Sequence, residues 1–155
     1  MAQNWSNYLQ FEGGLGLSYN GIDGCFLQGE YGKTYKWLDL GLSSAYESLY
    51  QKTYHLHYRY STDIQATLDS YAIGTFNIMF NARFDFIKLF KQNSRDSFKI
   101  GGSFGYRTDF EGLEPIGTIG LSYDYRITPD ISVGTFYKYN FIEMGVAGIS
   151  VRRNF

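Results

Sequence analysis

Ala72 to Ile87 reads AIGTFNIMFNARFDFI. From Phe76 onward every second residue is apolar: Phe76, Ile78, Phe80, Ala82, Phe84 and Phe86. Between them stand Asn77, Met79, Asn81, Arg83 and Asp85. A period of two belongs to a strand with two unlike faces. A slip of one residue would exchange those faces completely, so the stretch specifies its own register.

Working outward, seven more segments follow the same rule. They are Leu9–Tyr19, Cys25–Tyr31, Leu38–Tyr46, Phe98–Tyr106, Ile119–Tyr125, Ile131–Tyr139 and Ala147–Phe155. Turn-forming residues separate most of them: Asn20 to Gly24, Gly32 to Lys36, Lys91 to Asp96, Glu111 to Pro115, and Thr128-Pro129-Asp130. The 155 residues contain no linker or low-complexity tract, and 1–155 reads as one domain. Eight similar units joined by short turns predict an all-β antiparallel meander, each strand pairing with the next.

Composition agrees. Fifteen Tyr, 13 Phe and 18 Gly beside 2 Pro favour strands and tight turns over helices. A net charge of -1 gives no electrostatic case for nucleic acid. One cysteine, Cys25, cannot form an internal disulfide, and no cationic neighbour marks it as reactive. No apolar run is long enough for a transmembrane helix, but a barrel strand crosses in about 9–11 residues with only alternate ones apolar.

Alternation alone leaves two arrangements open: a soluble barrel with the oily face inside, or a membrane barrel with it outside. Three features select the second. The polar face is crowded with small residues, among them Gly14, Gly16, Gly41, Ser43, Gly101, Ser103, Gly120 and Ser122. These suit the narrow interior of an eight-stranded barrel. The apolar face is bulky throughout, and Phe76, Phe80, Phe84, Phe86, Phe98, Phe104, Leu38, Leu40 and Leu42 would overfill one small lumen. Tyrosines cluster towards segment ends (Tyr19, Tyr46, Tyr106, Tyr123, Tyr125, Tyr137 and Tyr139), as in the aromatic girdles of membrane interfaces. The expectation is therefore an eight-stranded up-and-down transmembrane β-barrel.

The polar face then lines a lumen. It carries Glu12, Glu30, Asp39, Asp85 and Asp124 against Arg83, Lys99, Arg107, Arg126, Lys138 and Arg152. Unpaired buried charges are costly, so these groups are expected to pair across the barrel. A charge-filled plug and a narrow gated ion path are both compatible with that set. The longest connection, 47–71, keeps its even register through Tyr50, Tyr54, Leu56, Tyr58 and Tyr60, and again through Ile64, Ala66 and Leu68. It predicts a projecting hairpin that turns at Ser61-Thr62-Asp63. Its presented residues are Tyr54, His55, Leu56, His57, Tyr58, Arg59 and Tyr60. His55 and His57 could share a metal, but no third ligand is in view, and neither a metal nor a cofactor is expected.

These residues resemble the small eight-stranded outer-membrane proteins of Gram-negative bacteria, of the OmpX and OmpA-barrel kind. The resemblance covers nearly the whole chain. It rests on strand count, alternation, turns such as Thr128-Pro129-Asp130, and the ending Gly148-Ile149-Ser150-Val151-Arg152-Arg153-Asn154-Phe155. It implies that Phe155, Val151 and Ile149 form the signal read by the outer-membrane assembly machinery, with Arg153 departing from the apolar pattern. It also implies periplasmic termini and periplasmic turns near 32–36, 88–97 and 128–130. The connections near 20–24, 47–71, 109–115 and 140–144 would be extracellular. The partners implied are the lipid bilayer, lipopolysaccharide, neighbouring outer-membrane proteins, and an external protein bound by the hairpin. A subunit role in a larger outer-membrane complex fits as well. Enzymes that modify lipid A share the architecture. Both histidines lie in the long connection with no partnered serine, so a non-enzymatic role is expected.

Overall fold

The computed structural model describes residues 5–18, 21–58, 64–108, 112–140 and 145–155; for 18, 21, 23, 49–58 and 64–73 the description is of the backbone alone. Eight strands form one closed antiparallel barrel: β1 (Ser6–Ser18), β2 (Gly21–Tyr35), β3 (Leu38–Tyr58), β4 (Ile64–Asp85), β5 (Asp96–Thr108), β6 (Leu113–Arg126), β7 (Ile131–Asn140) and β8 (Gly145–Asn154). Each pairs with its sequence neighbour. β8 returns to β1 from Tyr8↔Asn154 to Leu17↔Gly145, so the barrel has no open edge along that seam. Closure satisfies the backbone groups of every spanning strand, which an open sheet in lipid could not do.

The two faces divide as the alternation requires. Phe11 (59% exposed), Leu42 (61%), Ile78 (62%) and Phe80 (54%) point outward, whereas Glu12, Glu30, Asp39 and Lys99 are each at most 4% exposed. Exposed Tyr46, Tyr106, Tyr137 and Tyr139 stand towards one end, and Trp5, Tyr31, Tyr123 and Tyr125 towards the other. Tyr19 lies outside the described residues. The barrel interior is thus its polar part and its exterior the apolar one. Arg153 is exposed on the outer face beside the chain terminus, where a long side chain reaches polar surroundings.

Several boundaries differ from the sequence expectation, mostly because strands run further than their alternation is clean. β2 begins at Gly21 and ends at Tyr35, so the 20–24 and 32–36 turns shrink, the latter to Lys36-Trp37. Lys36 takes a positive φ of 50° there, the left-handed conformation that so tight a hairpin demands. β6 begins at Leu113 and takes Pro115 into the sheet opposite Tyr106. The opening stretch also ends early. Phe86 and Ile87 belong to a short helix, α1 (Phe86–Phe90), not to β4. Asp85 caps it, its carboxylate accepting from the Lys88 amide at 3.0 Å. Five residues then lead to β5, with the Ser94 hydroxyl accepting the Asp96 amide at 3.1 Å.

β3 and β4, of 21 and 22 residues, are much longer than a crossing needs. Their backbones pair continuously from Leu38↔Phe84 to Tyr58↔Ile64. Among the described residues the neighbouring ladders reach only Gly24↔Leu49 and Phe76↔Thr108.

Candidate functional site: the sealed lumen

Inward-facing residues of all eight strands meet in the lumen, and eight of the charges that parity assigned to it are in contact there. At the end nearer the termini, Lys99 Nζ lies 2.9 Å from Asp124 and 3.2 Å from Asp39. Asp39 is also ion-paired with Arg152. Further in, Arg83 pairs with Glu30 and lies 3.6 Å from Glu12, which in turn pairs with Lys138. Four carboxylates face four cations, and polar side chains add further hydrogen bonds, although Arg83 Nε and Gln10 Oε1 are buried with no partner among the described residues. Thr34 donates to Asp39 at 2.7 Å, Ser150 to Asp124 at 3.0 Å, Gln10 to Glu12 at 2.7 Å and Gln28 to Glu30 at 3.3 Å. Balanced charge with hydrogen bonds to each carboxylate is the arrangement in which buried ions are tolerated.

One side chain that charge patterning passed over joins the two clusters. Tyr8 is fully buried. Its hydroxyl donates to Glu30 and accepts from Arg83 Nη2 at 3.1 Å, while the Arg152 guanidinium lies 3.8 Å from its ring centroid. The ring fits because β2 and β3 carry glycine beside it. A Cβ on Gly32 would fall 2.5 Å from the Tyr8 ring, and one on Gly41 2.6 Å from its hydroxyl. Carrying the even parity of β1 back two residues, from Gln10 to Tyr8, would have found it. The first segment, read from Leu9, started one residue too late.

Above the ionic layer the lumen turns apolar. Phe26, Ala45, Met79, Ile116, Phe136 and Val146 are buried against one another across it. The Phe26 and Phe136 rings are 5.9 Å apart, and Lys138 Nζ lies 5.3 and 5.1 Å from their centroids. Small residues on the inner face leave room for these aromatics. A gap of about 20 Å³ beside Arg83 and Lys138 has room for about one water. The lumen is therefore filled, first by ion pairs and then by an apolar plate.

Three predicted lumen charges lie outside this network. Asp85 caps α1 and accepts from the Ser97 hydroxyl at 2.5 Å. Arg107 sits at the far rim, 3.0 Å from exposed Glu114. Arg126 donates to the Ser94 carbonyl and holds the β4–β5 connection against the barrel end. Glu47, where the sequence reading began the long connection 47–71, is a buried inner-face residue of β3, paired in register with Thr75. Of the expected hairpin residues, the side chains of Tyr54, His55, Leu56, His57 and Tyr58, and all of Arg59 and Tyr60, lie outside the described residues. Among described residues no group of three His, Cys, Asp or Glu is placed to hold a metal. Ile149, Val151 and Phe155 form an exposed apolar row on β8 and at the C-terminus. Phe155 exchanges two backbone hydrogen bonds of 3.0 Å with Asn7.

A closed eight-stranded meander, apolar outside and ionic within, is a transmembrane β-barrel. Solved structures share the arrangement. Neisserial surface protein A is similar at a TM-score of 0.59 and 14% identity, over 97% of this chain and 96% of its own. The N-terminal β-barrel domain of Pseudomonas aeruginosa OprF has the same score and identity and is covered over 97% of both chains. A de novo designed transmembrane β-barrel follows, at a TM-score of 0.55 and 11% identity, over 96% of this chain and 95% of the other. At these identities the likeness is one of fold. No protein-family model and no curated protein sequence matches the chain.

Proposed function

We propose that this is an outer-membrane protein of structural and interaction type: a sealed barrel that anchors an external β3–β4 hairpin for binding partners. The carrying observation is that β3 and β4 stay paired with each other from Tyr50↔Ala72 to Tyr58↔Ile64, where neither has another partner among the described residues. Among the described residues, about nine residues of each strand thus carry outward edges whose backbone donors and acceptors have no second strand to pair with. Such edges bind extended peptide by adding a strand. The filled lumen supports the same reading, because it leaves the barrel the role of anchor.

In this reading both termini and the α1 end are periplasmic, and the hairpin is extracellular. The segment from Tyr54 to Tyr60 is the one proposed to meet partners, and Lys52 and Arg59 are cations chemically suited to lipopolysaccharide phosphates. Phe155, Val151 and Ile149 serve the assembly machinery. Neighbouring outer-membrane proteins, including a larger complex, are partners of the same chemistry. The reading assigns no catalysis, since the charged groups at the centre of the lumen are ion-paired with one another.

The test compares bacteria displaying the full chain with bacteria displaying a chain whose residues 50–72 are replaced by a two-residue turn. Binding to immobilised serum proteins and cell–cell aggregation are both measured. Loss of both with an intact, heat-modifiable barrel is expected. Equal binding by the two strains would refute the hairpin role. Planar-bilayer recording of the full chain separates the alternative of a narrow channel. The sealed lumen predicts a silent trace, and regular steps abolished by Arg83→Ala would favour conduction.

A further inference from the structure

The charge balance that holds inside the lumen fails at its α1 end. A cavity of about 220 Å³ opens there, lined by Lys88, Arg95, Lys99, Arg126 and Arg152, with Asp124 as the one acidic wall residue among the described residues. Asp39 and Asp85 adjoin it through their contacts with Lys99, Arg152 and Lys88. Five cations therefore meet three carboxylates. Lys99 and Arg152 are compensated by Asp39 and Asp124, and Lys88 lies 3.6 Å from Asp85. Arg126 is held by a neutral carbonyl, and exposed Arg95 has no carboxylate partner among the described residues. Other acids nearby do not redress this. Asp96 faces outward to Tyr123, and Asp130 does not line the cavity.

The excess is thus two positive charges, in a polar chamber edged by the hydroxyls of Ser94, Ser97 and Ser132. Burial, with Lys99 close by, pulls the Lys88 ammonium below its ordinary range, and Asp85 offsets only part of that. The volume equals about seven waters and lies below the range of drug-sized pockets, so a small ligand is indicated. Guanidinium forks, ammonium groups and hydroxyls around one space are donors suited to a tetrahedral oxyanion.

We propose that this cavity binds a phosphate monoester, whose two negative charges match the two uncompensated cations. The phosphate arrives either on a soluble metabolite or on a lipid headgroup, and the donors required are the same.

The experiment uses the full chain folded in detergent micelles. Inorganic phosphate and glycerol 3-phosphate are titrated by calorimetry, and a short-chain phosphatidic acid is titrated by mixing it into the micelles. Saturable binding of at least one is expected, weakened by added sodium chloride. Arg95→Gln, at an exposed site with no ion pair among the described residues, should weaken it about tenfold, the scale of one charge-assisted hydrogen bond. Arg95→Gln with Lys88→Gln should abolish it, whereas Arg107→Gln at the opposite rim should leave it unchanged. Binding of the soluble esters places the source in solution, and binding of phosphatidic acid alone places it in the membrane. No saturable binding of any of the three overturns the proposal. So does binding that Arg95→Gln leaves untouched, or that Arg107→Gln weakens equally. Gel heat-modifiability of each variant shows whether its barrel is folded. The result is independent of the hairpin's role, since residues 50–72 do not contribute to the cavity.

Discussion

Replacing Arg83 by methionine gives a quantitative test of the lumen. Arg83 is 9% exposed, pairs with Glu30, and lies 3.6 Å from Glu12 and 3.1 Å from the Tyr8 hydroxyl. Its loss affects the two glutamates unequally. Glu12 retains its ion pair with Lys138 and a 2.7 Å bond from Gln10. Glu30 loses its ion pair and keeps only the Tyr8 hydroxyl and Gln28 at 3.3 Å. One buried carboxylate is thereby stranded, and breaking a buried pair from one side costs about 3–5 kcal/mol. The double variant Arg83→Met with Glu30→Gln removes both charges, keeps an acceptor for Tyr8, and should regain about 2–3 kcal/mol of that loss, a coupling typical of residues in direct contact. Urea titration in lipid vesicles measures both, with the fluorescence of Trp5 and Trp37 and the folded gel band as readouts. A single variant that costs under about 1 kcal/mol would refute the reasoning, as would a double variant no more stable than the single; either result would mean that the pair is not sealed from water.

Two further outcomes follow from the same packing. Phe80→Arg places a charge mid-strand on the lipid face and should cost about 2–4 kcal/mol in vesicle unfolding; a loss of only a few tenths would place Phe80 in water. Gly41→Ala puts a methyl group 2.6 Å from the Tyr8 hydroxyl and against the Glu30 carboxylate, and should destabilise by about 1–3 kcal/mol. Adding Tyr8→Leu should lower that penalty, so an unchanged penalty would refute the slot.

The fold was legible because face assignment is local. Whether Phe80 and Arg83 share a surface depends only on their separation along one strand, so parity placed both correctly. Ends were read less well. Alternation at Gly21–Gly24 and Leu113–Pro115 is diluted by glycine and proline, yet the neighbouring strand supplies hydrogen-bond partners and the ladder continues. Phe86 and Ile87 kept the alternation while lying in α1, since a helix of one turn is set by its Asp85 cap and by the need to reverse direction. In the lumen, parity recovered the population of charges but assigned Asp85, Arg107 and Arg126 to a network they do not join. Phe26 and Phe136 stood on the polar face in sequence, and nothing in either strand indicates that they meet.

The sequence by itself determined which side chains turn to lipid and which turn inward, how many strands there are, and that they meander, because each of these is a property of neighbouring residues. Tertiary structure alone decided the partners. Lys138 meets Glu12 across 126 residues, Arg152 reaches Asp39 across 113, and Tyr8 enters a slot formed by Gly32 and Gly41. Those meetings depend on the stagger at which β8 closes onto β1, which fixes the height of every side chain in the lumen and is set by all eight ladders together.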